Sequence, residues 1–186
     1  MPPPPRLFLV GYRGTGKSTV GPLLATVLRW QFLDADDRIE AAAGKSIADI
    51  FAAEGEAGFR DWESAVLAEL CRQDRRVIAT GGGVVLRPAN RELLSTAGYV
   101  AWLTASPKAV WQRMQSDPTT AARRPNLTTG GHAEVANLMA ARESLYRQTA
   151  HGTFPTEGRS PGDVAAAILA AWEATADPSS SPLPPG

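Results

Sequence analysis

Short unbroken apolar runs alternate with longer segments of helical spacing from Arg6 to Trp172. Leu7–Val10 is a continuous apolar run ending in glycine, the pattern of a buried strand. Lys17–Arg29 has helical spacing that places Val20, Leu23, Leu24, Val27 and Leu28 on one side. Gln31–Asp34 reads as a second strand. Ile39 to Cys71 reads as mostly helix, interrupted near Gly44 and Gly55. Val77–Thr80 is a third strand, stopped by Gly81, Gly82 and Gly83. Pro88–Thr96 is predicted as helix and Tyr99–Leu103 as a fourth strand. SPKAVWQRM opens another helix, with Ser106 at the N-cap and Pro107 at N1. Ala133–Ala150 is helical, and Gly152–Thr156 is a weak fifth strand, demoted by Pro155. Ser160 and Pro161 repeat the Ser-Pro start before a closing helix. Strands separated by helices imply a parallel sheet covered on both faces, an α/β fold. Ligands of such sheets sit beyond the carboxyl ends of the strands.

The ends do not share this pattern. MPPPP (1–5) is a polyproline leader and DPSSSPLPPG (177–186) is Pro/Ser-rich. Both are too poor in apolar residues to bury and are expected to be disordered, leaving one domain over 6–176. Lys plus Arg is 19 and Asp plus Glu is 19, so the formal charge is zero. That argues against a general binder of nucleic acid or anionic membrane. The lone Cys71 fits a reducing compartment. With no apolar signal region at the start and no run long enough to span a bilayer, the cytoplasm is the expected location.

The first strand runs into GYRGTGKS, which satisfies G-x-x-x-x-G-K-[ST] between a strand and a helix. Gly11, Gly14 and Gly16 permit positive φ and let backbone N–H groups converge on phosphate oxygens, and the following helix adds its N-terminal partial charge. Lys17 is placed to reach the β and γ phosphates, and Ser18 offers a hydroxyl to Mg²⁺. Gly14, Thr15, Gly16, Lys17, Ser18 and Thr19 are the candidate nucleotide-binding residues. The chain has neither a guanine-reading N-K-x-D nor a D-x-x-G. A nucleotide-using enzyme is favoured over a regulatory GTPase.

Four further segments bear on where the phosphate goes. In FLDADDRIE, Asp34 and Asp36 lie two apart and would share one side of an extended segment. One could help hold Mg²⁺ while the other faces the acceptor. Equally, Asp36 or Asp37 could cap the next helix, with Glu40 completing a capping box after Asp37. Arg60 could be a guanidinium fork for a carboxylate or a surface i,i+3 partner of Glu63. VIATGGG ends the third strand with Thr80, where many phosphate-loop enzymes carry a metal-binding aspartate, so Asp34 becomes the candidate metal carboxylate. Its three glycines bring bare backbone up to a ligand. Ser116–His132 is a long polar loop carrying Arg123 and Arg124, either a closing lid or a mobile solvent loop.

Together the segments GYRGTGKS, DAD, GKSIADIFAAEGEAGFRDWE, TGGG, RRPNL and RESLYRQTA resemble the shikimate kinases, small P-loop kinases of the nucleoside-monophosphate-kinase-like group. The resemblance covers about Arg6 to Trp172. It implies a three-layer α/β/α fold with a five-stranded parallel sheet in the order 2-3-1-4-5 and a mobile lid over about 116–132. It implies ATP-dependent phosphorylation of the shikimate 3-hydroxyl, with Mg²⁺ as cofactor, by a monomer. Carried over by motif, Lys17 binds the phosphates, and Ser18 and Asp34 lie at the metal. Asp36 contacts the shikimate hydroxyls as base or positioner. Arg60 and Arg142 hold its carboxylate, and Gly81, Gly82 and Gly83 line its site. Arg124 reaches the transferring phosphate. Arg113 and Arg159 fall where the family packs adenine. Asn126 stands where the family's lid has a leucine. Two alternatives remain at this point: another small-molecule kinase, for gluconate or a nucleotide, and a non-catalytic nucleotide-binding protein on the same fold.

Overall fold

Leu7, Phe8, Leu9 and Val10 are all fully excluded from water, because their strand is the middle one of the sheet. A computed structural model of the chain describes residues 4–116 and 131–175. Its strands are β1 (Arg6–Val10), β2 (Gln31–Asp34), β3 (Arg76–Ala79), β4 (Tyr99–Thr104) and β5 (Gly152–Pro155). They pair in parallel in the order β2-β3-β1-β4-β5. The helices are α1 (Lys17–Leu28), α2 (Ala35–Ala43), α3 (Ile47–Leu70), α4 (Pro88–Ala97), α5 (Pro107–Ser116), α6 (Gly131–Thr149) and α7 (Pro161–Ala174), with a 3₁₀ turn at Val84–Leu86. Because successive strand residues face opposite ways, β1 serves two cores. Phe8 and Val10 pack with residues of α2, α3, α4 and α6, whereas Leu7 and Leu9 pack with residues of α1 and α7. Each such fully buried side chain contributes roughly 1.5–3 kcal/mol. β5 lies at the sheet edge, where Pro155 costs no ladder bond on the solvent side.

Two sequence expectations are corrected here. The core face of α1 is Val20, Gly21, Leu24 and Ala25, while Leu23 and Val27 are exposed. The helix lies so close to the sheet that a Cβ on Gly21 would stand 2.2 Å from the Phe32 ring. Small residues therefore take the central stripe, and the neighbouring large ones turn outward. The second correction concerns the helix after β2, which starts at Ala35 rather than Ile39. Its N-cap is Asp34, whose Oδ1 accepts from the Asp36 N–H at 2.9 Å. Asp36 and Asp37 are thus first-turn residues and not caps. Glu40 accepts instead from the Ile47 N–H at the start of α3 (3.0 Å). The predicted breaks stand: Gly44 closes α2, and Gly55 kinks α3 with φ 69°.

Pro4 and Pro5, which composition assigns to a disordered leader, accept hydrogen bonds from Trp172 Nε1 (3.0 Å) and the Arg75 N–H (2.7 Å). Ser106 and Ser160 cap α5 and α7 by accepting from the Ala109 and Asp163 N–H groups. Among the described residues no helix is long and apolar enough to cross a membrane. The 177–186 tail, the 117–130 part of the expected lid, and Arg123, Arg124 and Asn126 lie outside the described residues.

Candidate active site

The loop between β1 and α1 has the backbone its glycines require. Gly11, Gly14 and Gly16 all have positive φ (141°, 75° and 96°). At Gly11 there is also no room for a side chain, since a Cβ would stand 2.5 Å from the Leu103 carbonyl oxygen. Thr15 is buried and its hydroxyl donates to the Tyr12 carbonyl (2.7 Å), closing the loop on itself. Lys17 is also buried. Its ammonium donates to the Gly11 and Tyr12 carbonyls at 2.8 and 2.9 Å, which fixes a positive charge at the loop mouth. Thr19 sits exposed on the first turn of α1.

Ser18 and Asp34 meet directly: the hydroxyl donates to Asp34 Oδ2 at 3.2 Å. Burial first, and then the neighbouring Asp36 charge, hold the Asp34 carboxyl above the usual range, against the pull of the Asp36 N–H and Lys17. A cation between these oxygens and a nucleotide phosphate would relieve that cost. One hydroxyl and one carboxylate suit a hard cation that keeps water and phosphate in its shell. They do not suit a cation held by protein alone, and among the described residues no group of three or more His, Cys, Asp or Glu could hold one. The end of β3 adds no carboxylate. Thr80 spends both its N–H and its hydroxyl on the Leu9 carbonyl (3.0 and 3.1 Å). Asp36, two residues on, is half-buried in the first turn of α2. It does not share an extended segment with Asp34, because the helix has already begun.

The triple glycine joins the phosphate loop to the arginines. A Cβ on Gly82 would stand 3.5 Å from the Arg13 nitrogen and the Gly11 oxygen, so this strip lies against the loop. A Cβ on Gly83 would stand 2.2 Å from Arg60 Nη1, so a side chain there would push that guanidinium aside. The surface-pair expectation for Arg60 is corrected. Arg60 is 8% exposed and Glu63 3%, and they pair at 2.6 Å. Glu56 accepts from the same guanidinium at 3.2 Å. Burial works against the Arg60 charge, but Glu63 and then Glu56 outweigh it and hold its pKa above the ordinary value. Arg142, on α6, donates to the Gly82 carbonyl at 3.3 Å and lies over the Tyr12 ring, 5.7 Å from its centroid. Tyr146, one turn on, donates to the same carbonyl at 2.5 Å. No sequence motif singled it out, though its i+4 spacing from Arg142 put both on one helix face.

Arg113 bridges two loops. It donates to the Gly14 carbonyl (3.1 Å) and to the hydroxyl and carbonyl of Thr156 (2.9 and 3.3 Å). Arg159 is exposed three residues beyond Thr156, before α7. A cavity of about 500 Å³ opens under α6 between Tyr12, Trp102, Met139, Tyr146 and Thr153, and Thr15 is the one sequence-predicted site residue on its wall.

Contacts thus run from Asp34 through Ser18 to the phosphate loop, and from the loop through the glycine strip to Arg60 and Arg142, while Asp36 adjoins Asp34. The shikimate kinase family model matches residues 13–173. The chain belongs to the shikimate kinase family. A shikimate kinase of Rhodopirellula baltica is 47% identical over 169 residues, covering 90% of each chain. The solved structure of a shikimate kinase from Acinetobacter baumannii in complex with shikimate superposes with a TM-score of 0.83 at 40% identity, covering 89% of this chain and 90% of that one. A gluconokinase from Sinorhizobium meliloti shares the fold alone, with a TM-score of 0.58 at 14% identity.

Proposed function

We propose that the chain transfers the γ-phosphoryl group of ATP to the 3-hydroxyl of shikimate, giving shikimate 3-phosphate and ADP, a step of aromatic amino acid biosynthesis. The observation that carries the substrate is the approach of Arg60 and Arg142 to the Gly82–Gly83 strip, which itself lies on the phosphate loop. Two guanidinium forks suit a planar carboxylate. They have no evident use for a nucleobase.

In this reading the carboxylate displaces the weaker acidic partner of Arg60 and takes a second contact from Arg142. The ring then lies along the glycine strip, where no side chain intrudes. Asp36 accepts the hydrogen bond of the attacking hydroxyl, selecting it among its neighbours and taking its proton as the bond to phosphorus forms. Lys17 and the backbone N–H groups of the phosphate loop hold the phosphates, and Arg124 is assigned by its motif to the transferring group. Arg113 and Arg159 border the adenine. Ser18 and Asp34 would hold Mg²⁺, which would supply charge neutralisation at the phosphates. No covalent enzyme intermediate forms. The chain's work is positioning and charge stabilisation. It acts as a monomer in the cytoplasm, without nucleic acid or membrane.

The test is steady-state ADP release from ATP and Mg²⁺ with shikimate, gluconate or AMP as acceptor. Turnover with shikimate is expected. Turnover with a control alone would change the substrate, and ATP binding without turnover on any acceptor would favour a regulatory protein.

A further inference from the structure

The Gly82 carbonyl is buried and receives two side-chain donors from α6. They are unequal. The Tyr146 hydroxyl reaches it at 2.5 Å, and Arg142 Nη1 at 3.3 Å, beyond the common N–H···O range. Tyr146 is 2% exposed, its ring stacked on Trp102 with centroids 5.6 Å apart. Burial holds its phenol far above the ordinary pKa, so it stays a donor. Arg142 is half-buried and lies over the Tyr12 ring of the phosphate loop.

We propose that Tyr146 is a positioning residue for the acceptor: its hydroxyl keeps the Gly82 carbonyl satisfied, so that the Arg142 guanidinium is released to the substrate carboxylate. This rests on the function proposed above. Removing the hydroxyl leaves Arg142 as the side-chain donor to Gly82 among the described residues. A buried carbonyl without a donor is costly, so Arg142 stays on the protein and the substrate must compete for it. The phosphate loop, Asp34 and Asp36 are untouched. The defect therefore falls on binding of the acid and leaves the chemical step intact.

A double-mutant cycle tests this. Tyr146→Phe is expected to raise KM for shikimate roughly ten-fold, the size of one lost hydrogen bond to a buried group, with kcat and the KM for ATP nearly unchanged. In the Arg142→Ala background the same change should add little, because the residue through which it acts is gone. Trp102→Phe disturbs the stack without removing the hydroxyl and should leave KM alone. An unchanged KM in Tyr146→Phe, effects that multiply in the double variant, or an equal rise in Trp102→Phe would each overturn the proposal. A second measurement holds even if Tyr146→Phe fails to fold. Arg142→Ala should melt at the wild-type temperature, since Tyr146 still satisfies Gly82, and a marked loss would overturn the proposal. Absence of shikimate turnover in the wild type would sink the proposed function as well, whereas normal wild-type turnover with an unmoved KM in Tyr146→Phe sinks only this inference.

Discussion

The proposed phosphate wall is one local loop, mostly backbone, whereas the proposed acceptor wall combines a glycine strip with side chains from distant elements. On the first, Gly11 to Ser18 form one continuous turn fixed by positive φ angles and by Lys17 and Thr15 bonding back to its own carbonyls. On the second, Arg60 comes from α3, Gly81–Gly83 from the end of β3, and Arg142 and Tyr146 from α6. Their geometry depends on one buried ion pair, Arg60–Glu63, and on one shared carbonyl. A backbone wall recognises what all nucleoside triphosphates share. A side-chain wall can be specific for one acceptor, but each of its members can be lost singly. Substitutions should therefore separate the two walls.

The largest expected effect is Asp36→Asn. It should lower kcat by about 100-fold or more, the usual worth of a general base, while calorimetry finds ATP affinity unchanged. Near wild-type turnover would remove Asp36 from the chemistry. Next is Arg60→Ala, which acts twice. It should raise KM for shikimate, and it removes the ion pair that Arg60 makes with the buried Glu63 at 2.6 Å, so Tm should fall as well. Adding Glu63→Gln should restore much of the Tm and none of the KM. If KM recovers as well, Arg60 is structural only.

Asp34→Asn is smaller and opposite in sign for stability. Asn keeps the N-cap. Because burial holds the folded carboxyl above the ordinary aspartate value, the unfolded chain releases that proton first as pH rises. The charged form is therefore a cost at neutral pH. The variant should melt slightly higher without ligand, by less than about 4 °C, yet need more Mg²⁺ for half-maximal turnover. An unchanged Mg²⁺ requirement would detach Asp34 from the metal.

The smallest effect lies away from both walls. The Val100 N–H donates to His151 Nδ1 (3.0 Å), and burial holds that imidazole below 6.5. As pH falls through 6.5 the unfolded chain protonates first, so stability should drop with acidification. Melts between about pH 7.5 and 5.5 should show a shallower fall in His151→Gln than in wild type.

The same contrast explains what could be read from the letters. The phosphate wall is local, so GYRGTGKS with its flanking strand and helix was legible at once. Strand positions were legible too, because β1 and β4 are buried on both faces and read as unbroken apolar runs. The acceptor wall is assembled across long sequence separations, and single-segment rules misjudged it. Arg60 and Glu63 show the spacing of a surface pair, and only the fold, with Gly83 pressed on the guanidinium, buries them. Asp34 and Asp36 show strand spacing, but the cap at Asp34 turns the chain into helix between them. Leu23 and Val27 fit an apolar stripe that the close approach of Gly21 to Phe32 moved by one position. Residue chemistry left Arg60 open between a carboxylate fork and a surface pair, and only the resemblance to a family pointed to Arg142.

The central claim is that two arginines grip the acid while Asp36 selects the hydroxyl. Comparing shikimate with its methyl ester as acceptor, at saturating ATP and Mg²⁺, tests it most directly. Loss of the carboxylate charge should raise KM by about 100-fold, the worth of two charge-assisted contacts at the lower end of their range. Equal KM values for acid and ester would contradict the claim and leave the acceptor wall without its anchor.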